Sequence, residues 1–141
     1  MKLAICTDVF ADLSYTDMLD KVKSLGIAAV EMTAGGWGAR KHCNTAELLA
    51  DEGKRKEFMG ELEKRGMRIS ALNTSCNPLW PSKTGEEYKK SMYDCATLAG
   101  LLGVKKIVAM AGLPAGSETD TTPNWICLLY TSDAADDLIG V

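Results

Sequence analysis

The chain has 141 residues and a mass of 15.2 kDa, with 46% hydrophobic and 25% charged residues. That size and composition belong to one ordinary globular domain and exclude an intrinsically disordered chain. The net charge of −3 is carried by the end of the chain, because three of the 19 acidic residues and none of the 16 basic residues follow Ile126. The remaining body is neutral, which argues against a nucleic-acid binder.

Three similar segments each predict the end of a helix, a glycine and a buried strand. The glycines are Gly26, Gly66 and Gly103, spaced 40 and 37 residues apart, and glycine is favoured where a helix ends in a left-handed residue. That period suits one strand and one helix repeated along a parallel α/β fold. The sequence therefore predicts strands near residues 2–7, 27–32, 67–73 and 104–110.

The segments between these strands predict helices. The first covers Tyr15 to Leu25, with Ser14 or Thr16 as its N-cap, because its apolar residues recur with helical spacing. The second connection runs from Thr45 to Arg65 and pauses at Gly53. The third begins with a capping box at residues 84–87, in which Thr84 is the N-cap.

Four parallel strands in sequential order favour a TIM-type barrel over a doubly wound nucleotide fold, since no glycine-rich phosphate loop follows the first strand. A complete barrel takes about 250 residues. We therefore expect an α/β chain of parallel βα units that forms a truncated, partial TIM barrel, about the first half. Its outer strands would have an unpaired edge, so we expect the chain alone to aggregate or to pair with a second copy. The sequence leaves open whether the protein forms a homo-oligomer.

The βα pattern ends at Cys127. Residues 127–137 resemble an in-frame translation of a transposase adapter used to prepare DNA sequencing libraries. We therefore expect residues 1–126 to be the N-terminal half of the barrel and residues 127–141 to be a non-native read-through tail. The alternative is a short native helix capped by Ser132 and ended by Gly140.

Candidate functional residues lie where the strands end and the following loops begin, the end of a parallel barrel that carries active sites. Glu31 is the catalytic candidate, because a desolvated carboxylate at the mouth could exchange a proton with a substrate. Its alternative role is a structural hydrogen bond to a neighbouring strand. The substrate-binding candidates are Thr7, Trp37, His42, Asn73 and Asn77.

Several loop residues admit two interpretations. Trp37 could stack on a sugar, and His42, the only histidine, could contact a ligand or make a structural hydrogen bond. Arg40 and Lys41 could meet a phosphate or carboxylate, or they could be solvated surface charges. A nucleophile formed by Cys76 and His42 is conceivable, although a cysteine is more often a small buried group.

Five segments carry a family resemblance when they are taken together. They are Val30-Glu31-Met32 with Gly35-Gly36, His42-Cys43, residues 64–72, Asn77-Pro78-Leu79 with Pro81, and residues 102–108. These segments resemble the sugar phosphate isomerase/epimerase family, the xylose isomerase-like TIM barrels, over residues 1 to about 126. Relatives often carry histidines where this chain has Ser75 and Trp80, so the substrate stays open.

The resemblance implies an isomerase or epimerase that moves a proton next to the carbonyl of a sugar or sugar phosphate, assisted by a divalent metal ion (Mn, Mg or Zn). The metal ligands would lie beyond Ile126, so we expect no metal in this chain and no activity from it alone. Two alternatives are an apurinic endonuclease-like barrel, which the neutral charge disfavours, and a non-catalytic carbohydrate-binding module.

The expected setting is the cytoplasm. No apolar run approaches the roughly 20 residues that cross a bilayer, and the N-terminus does not resemble a secretory signal. The five cysteines are an odd number in no metal-like spacing, which favours reduced thiols over disulfides. We expect neither a nucleic-acid nor a membrane partner.

Overall fold

A computed structural model describes residues 3–112, which fold as three βα units and a fourth strand around one parallel sheet. The strands are β1 (Ile5–Cys6), β2 (Ala29–Thr33), β3 (Arg68–Asn73) and β4 (Ile107–Val108), and they lie in the order β1-β2-β3-β4. All three neighbouring pairs are parallel. This arrangement confirms the predicted fold class, because sequential parallel strands joined by helices are the pattern of a TIM barrel. The expected read-through tail lies outside the described residues.

Four α-helices connect the strands. They are α1 (Tyr15–Ser24), α2 (Thr45–Ala50), α3 (Glu52–Lys64) and α4 (Lys83–Leu102). A short 3-10 turn, Thr7–Phe10, also follows β1 directly, and the sequence analysis did not predict it. None of the helices within residues 3–112 combines the length and the apolar character that a bilayer crossing requires.

The helices pack on one face of the sheet, which we call the outer face. Val30, Met32 and Leu72 from the strands are fully buried there in one apolar cluster with helix residues such as Leu19 and Leu98. Side chains alternate between the two faces of a strand. On β2, Glu31 follows Val30 and Thr33 follows Met32. Glu31 and Thr33 therefore lie on the opposite face, which we call the inner face.

The predicted helix ends agree with the structure at all three glycines. Gly26, Gly66 and Gly103 have φ angles of 74°, 63° and 69°, the left-handed conformation that favours glycine. After each of them the chain turns back toward the amino end of the next strand. The spacing of these glycines is therefore what sets the βα period.

Some predicted helix starts were wrong by a few residues. The second connection breaks at Asp51, whose side chain accepts the amide of Lys54 and caps α3, and not at Gly53. In the third connection Ser82 accepts the amide of Gly85 and caps α4, so Thr84 lies inside the helix. Ser82 and Thr84 are both favourable cap residues, and local pattern alone did not separate them.

Candidate functional site

The carboxyl ends of β2 and β3 bring polar side chains together on the inner face of the sheet. Thr33 pairs with Asn73 in the register of the two strands, and Glu31 pairs with Ala71. The register shifts between Val30 and Glu31. Glu31, Thr33 and Asn73 therefore share one face at the end of the sheet where parallel barrels hold their active sites.

Glu31 and Asn73 are directly bonded. The Asn73 Nδ2 donates to Oε1 of Glu31 over 2.6 Å in a partly buried setting. This is the hydrogen bond that the structure gives to the Glu31 carboxylate from residues 3–112, and an ionised carboxylate has about four acceptor sites, so capacity for a ligand is left. The structural hydrogen bond that the sequence allowed for Glu31 is thus present, and its proton-transfer role stays a prediction.

A second hydrogen bond fixes the orientation of the Asn73 amide. Oδ1 of Asn73 accepts the backbone N–H of Ser75 over 2.9 Å. Because the oxygen is occupied by a donor, the NH₂ group must face Glu31. Asn73 therefore holds Glu31 in one position from the neighbouring strand.

Thr33 was missed by the sequence analysis, although it lies two residues after Glu31 on the same face. The residue is 4% exposed, and its Oγ1 is the one buried side-chain oxygen or nitrogen in the described part of the chain without a hydrogen-bond partner. The spacing of two in a strand was the available signal.

Gly38 covers this part of the inner face. A Cβ on Gly38 would collide with Cγ2 of Thr33 and would lie 2.7 Å from Oδ2 of Asp8. The loop after β2 therefore approaches both residues closely, which only glycine permits. Asp8 reaches the same place from the 3-10 turn after β1, so three successive strand ends contribute to this region.

The loop after β2 is fastened to the loop after β3 and to α4. The amide of Trp37 donates to the carbonyl of Ser75 over 3.0 Å, and the amide of Gly36 donates to Oγ of Ser91 over 2.9 Å. The indole N–H of Trp37 donates to the hydroxyl of Tyr88 over 2.9 Å, and the two rings meet edge to face. Trp37 is still half exposed, so part of its ring is available to a ligand.

The other predicted binding residues lie in different surroundings. Thr7 is buried at the end of β1, beside the strand that carries Glu31. Asn77 is fully buried, and its Oδ1 approaches Gly112 after β4. Their contact with a substrate stays a prediction.

His42 faces the helical layer. It is 7% exposed, and its Nε2 lies 3.1 Å from the carbonyl oxygen of Leu13. It also lines a groove between α1 and α3 together with Tyr15 and Phe58, whose rings stack at 4.8 Å. Among residues 3–112 the structure shows no hydrogen bond from His42 to Glu31 or Asn73, and its role in binding stays a prediction.

Cys76 has the properties of a buried structural thiol. It is fully buried, and its Sγ donates to the carbonyl of Thr74 over 3.3 Å. Burial raises the pKa of the Cys76 thiol above its ordinary value. A thiol with a raised pKa holds little of the nucleophilic thiolate, so the geometry favours the structural interpretation.

The described residues do not assemble a metal site by themselves. Within residues 3–112 no three histidine, cysteine, aspartate or glutamate side chains lie close enough to hold a metal ion. Asp8 and Glu31 are the acidic residues at the strand ends in this part of the chain.

Sequence comparisons find one similar curated protein. No protein-family model matches the chain. The chain is 49% identical over 126 residues to the uncharacterized protein YfiH of Bacillus subtilis (strain 168), an alignment that covers 89% of this chain and 40% of YfiH. The chain thus spans well under half the length of this relative.

A solved structure of a similar fold supports the barrel. The probable 3-DHS dehydratase AsbF of Bacillus anthracis, involved in petrobactin synthesis, superposes with a TM-score of 0.52 and 22% sequence identity. The match covers 79% of this chain and 39% of AsbF. This neighbour is a TIM barrel, and the chain corresponds to a part of such a barrel.

Proposed function

We propose that this chain is the N-terminal portion of a carbohydrate-processing barrel enzyme that transfers a proton next to a carbonyl group. The proposed substrate is a sugar or sugar phosphate, and the proposed reaction is isomerisation or epimerisation. The carboxylate of Glu31 is the proton acceptor, and Asn73 positions it. Both isomerisation and dehydration next to a carbonyl can begin with this proton transfer, which is compatible with the dehydratase name of AsbF.

One observation carries the proposal: a carboxylate and an amide are bonded at 2.6 Å on the inner face, at the ends of adjacent parallel strands. Asn73 donates to Oε1 of Glu31. This hydrogen bond also fixes the position of the second carboxylate oxygen, Oε2. A base must be held within reach of the proton it removes, and fixed geometry contributes much of the rate.

A divalent metal ion remains part of the proposal for the complete enzyme. Its ligands would come from residues outside 3–112, because the described residues do not assemble such a site. The alternative of a non-catalytic carbohydrate-binding module uses the same polar surface without proton transfer. The two functions differ in one measurable property, the exchange of a substrate proton with solvent.

The experiment is a deuterium-exchange survey with the complete protein encoded at the locus. Ketoses and aldoses of five and six carbons, and their terminal phosphates, are incubated with enzyme in D₂O, and loss of the proton beside the carbonyl is followed by ¹H NMR. We expect exchange and a new sugar isomer with at least one of them. The assay is repeated after dialysis against EDTA and again after addition of Mn²⁺, Mg²⁺ or Zn²⁺, and we expect activity to be lost and then restored.

Two other outcomes would replace the proposal. Sugar binding without exchange for every compound, in both the metal-loaded and the stripped protein, would indicate a binding module. Cleavage of DNA at an abasic site with no sugar exchange would indicate the endonuclease-like alternative. Exchange that survives complete removal of metal would retain the proton transfer and reject the metal.

A further inference from the structure

The Thr33 hydroxyl is an unusual feature of the inner face. It is buried, and it has no hydrogen-bond partner among the described residues. Most buried polar groups in native proteins are satisfied, because an unmade hydrogen bond in the interior is costly. An unsatisfied hydroxyl at a strand end therefore calls for a partner that residues 3–112 do not supply, either another part of the complete protein or a ligand.

The surroundings of Thr33 indicate what kind of partner this is. Thr33 shares its face with Glu31 and stands opposite Asn73 in the strand register. Asp8 approaches from the end of β1, close to the same point above Gly38. The region thus offers carboxylate acceptors, an amide and a hydroxyl, a mixture that suits the alternating donors and acceptors of a polyhydroxylated ligand.

Gly38 covers Thr33 on this face. Its backbone lies against Cγ2 of Thr33 and beside Oδ2 of Asp8, so closely that no larger residue fits. A ligand that reaches the Thr33 hydroxyl must therefore displace the Gly38 segment.

We propose that Thr33 is a specificity-determining residue that hydrogen-bonds a hydroxyl group of the substrate when the Gly38 segment moves off it. This inference rests on the proposed function, because it assumes a ligand with several hydroxyl groups. It predicts that the hydroxyl of Thr33 serves binding and contributes nothing to the stability of the free protein. These two effects can be measured separately.

The probe is xylitol, an open-chain polyol that has the hydroxyls of a sugar and no carbonyl. Its affinity for the complete protein is measured by titration calorimetry for the native protein, Thr33→Val and Thr33→Ser. We expect Thr33→Val to bind xylitol about tenfold more weakly, the loss of roughly one hydrogen bond. Thr33→Ser retains the hydroxyl and should stay within about twofold of the native affinity.

Thermal unfolding of the same variants supplies a second, independent reading. Valine has nearly the shape of threonine and removes the unsatisfied oxygen, so Thr33→Val should melt at the native temperature or above it. The matched control is Thr45→Val, since Oγ1 of Thr45 donates to the carbonyl of Ala34. Losing that bond should lower the melting temperature by about 2–4 °C and leave xylitol binding unchanged.

Three results would overturn the role of Thr33. They are equal xylitol affinity for the native protein and Thr33→Val, no xylitol binding by the native protein, and a fall in melting temperature for Thr33→Val as large as that for Thr45→Val. The last result would mean that the hydroxyl has a structural partner in the folded protein. Because xylitol has no carbonyl, these results are independent of the deuterium-exchange survey, which tests the proposed function.

Discussion

The two faces of β2 serve different purposes in this molecule. On the outer face Val30 and Met32 are completely buried among the side chains of the helices. On the inner face Glu31 makes a hydrogen bond to Asn73, and Thr33 has none among the described residues. One short strand thus carries the apolar contacts that stabilise the sheet and the polar groups that we assign to the site.

Because of this difference, substitutions at neighbouring positions of β2 should affect different properties, the stability of the fold on one face and its function on the other. Apolar burial contributes to the free energy of unfolding in proportion to the area removed from water. Partly satisfied polar groups contribute little to that free energy, and they are available to a ligand. Substitutions on the two faces should therefore separate unfolding measurements from binding and activity.

The largest expected effect is on the outer face. Met32→Ala removes a fully buried side chain from the apolar cluster, and we expect it to lower the free energy of unfolding by about 2–5 kcal/mol. Glu31→Gln, one residue away on the inner face, keeps a side-chain oxygen that can accept from Asn73 and should change it by only about 1 kcal/mol. Urea denaturation of the complete protein measures both, and similar losses for the two variants would contradict the division between the faces.

The loop over the inner face should be nearly as sensitive. Gly36 has a φ of 71°, and a Cβ there would overlap the carbonyl oxygen of Ser75. We expect Gly36→Ala to lower the free energy of unfolding by about 2 kcal/mol or more, because alanine is strained at this φ and the loop must shift.

Gly60→Ala is the matched control for this loop. A Cβ on Gly60 would meet no atom within 4 Å, and the residue lies inside α3. The same substitution there should stabilise the protein by about 0.5–1 kcal/mol. The comparison uses the same denaturation measurement, and a stabilising Gly36→Ala would show that the loop does not need the close approach.

An effect that is smaller per pH unit concerns the thiols of the outer layer. Burial raises the pKa of Cys43 to about 11 from an ordinary value of 9.0. The unfolded chain therefore releases this proton near pH 9, whereas the folded chain keeps it until about pH 11. Stability is complete below pH 9 and should fall as the pH rises through this window, by about 1.4 kcal/mol per pH unit for this thiol.

Denaturation at pH 8, 9, 10 and 11 measures this slope. Burial also raises the pKa of Cys95 to about 11, so the native protein should lose stability through both thiols. Cys43→Ala should lose one thiol's share of the slope, whatever its stability at pH 8. An unchanged slope in that variant would mean that Cys43 is less desolvated than its position against the helices indicates.

Much of the fold could be predicted from the sequence because local signals repeat along it. Glycine at 26, 66 and 103 marked the ends of α1, α3 and α4, and apolar runs marked the strands that follow. The exact helix starts were harder, since Ser82 and Thr84 compete for the same role over three residues. The strands β1 and β4 are also shorter than predicted, two residues each, because hydrophobic pattern extends past the paired region.

The site could be predicted only in part. Glu31 and Asn73 each end a strand and were selected for that reason, and the structure brings them into contact. The closeness of Gly38 to Thr33 and Asp8 depends on the path of a loop between distant elements, which no local pattern specifies. For the same reason the contact of His42 with the carbonyl of Leu13, in the loop that precedes α1, was not predicted.

The most direct test of the account is the rate at which the complete protein exchanges the proton beside the carbonyl of its best sugar substrate in D₂O. The native protein is compared with Glu31→Gln and with Glu57→Gln, an exposed glutamate on α3 paired with Lys54. We expect Glu57→Gln to exchange at the native rate and Glu31→Gln to exchange at least about 100-fold more slowly. Native exchange by Glu31→Gln would contradict the assignment of the inner face of the sheet as the site of chemistry.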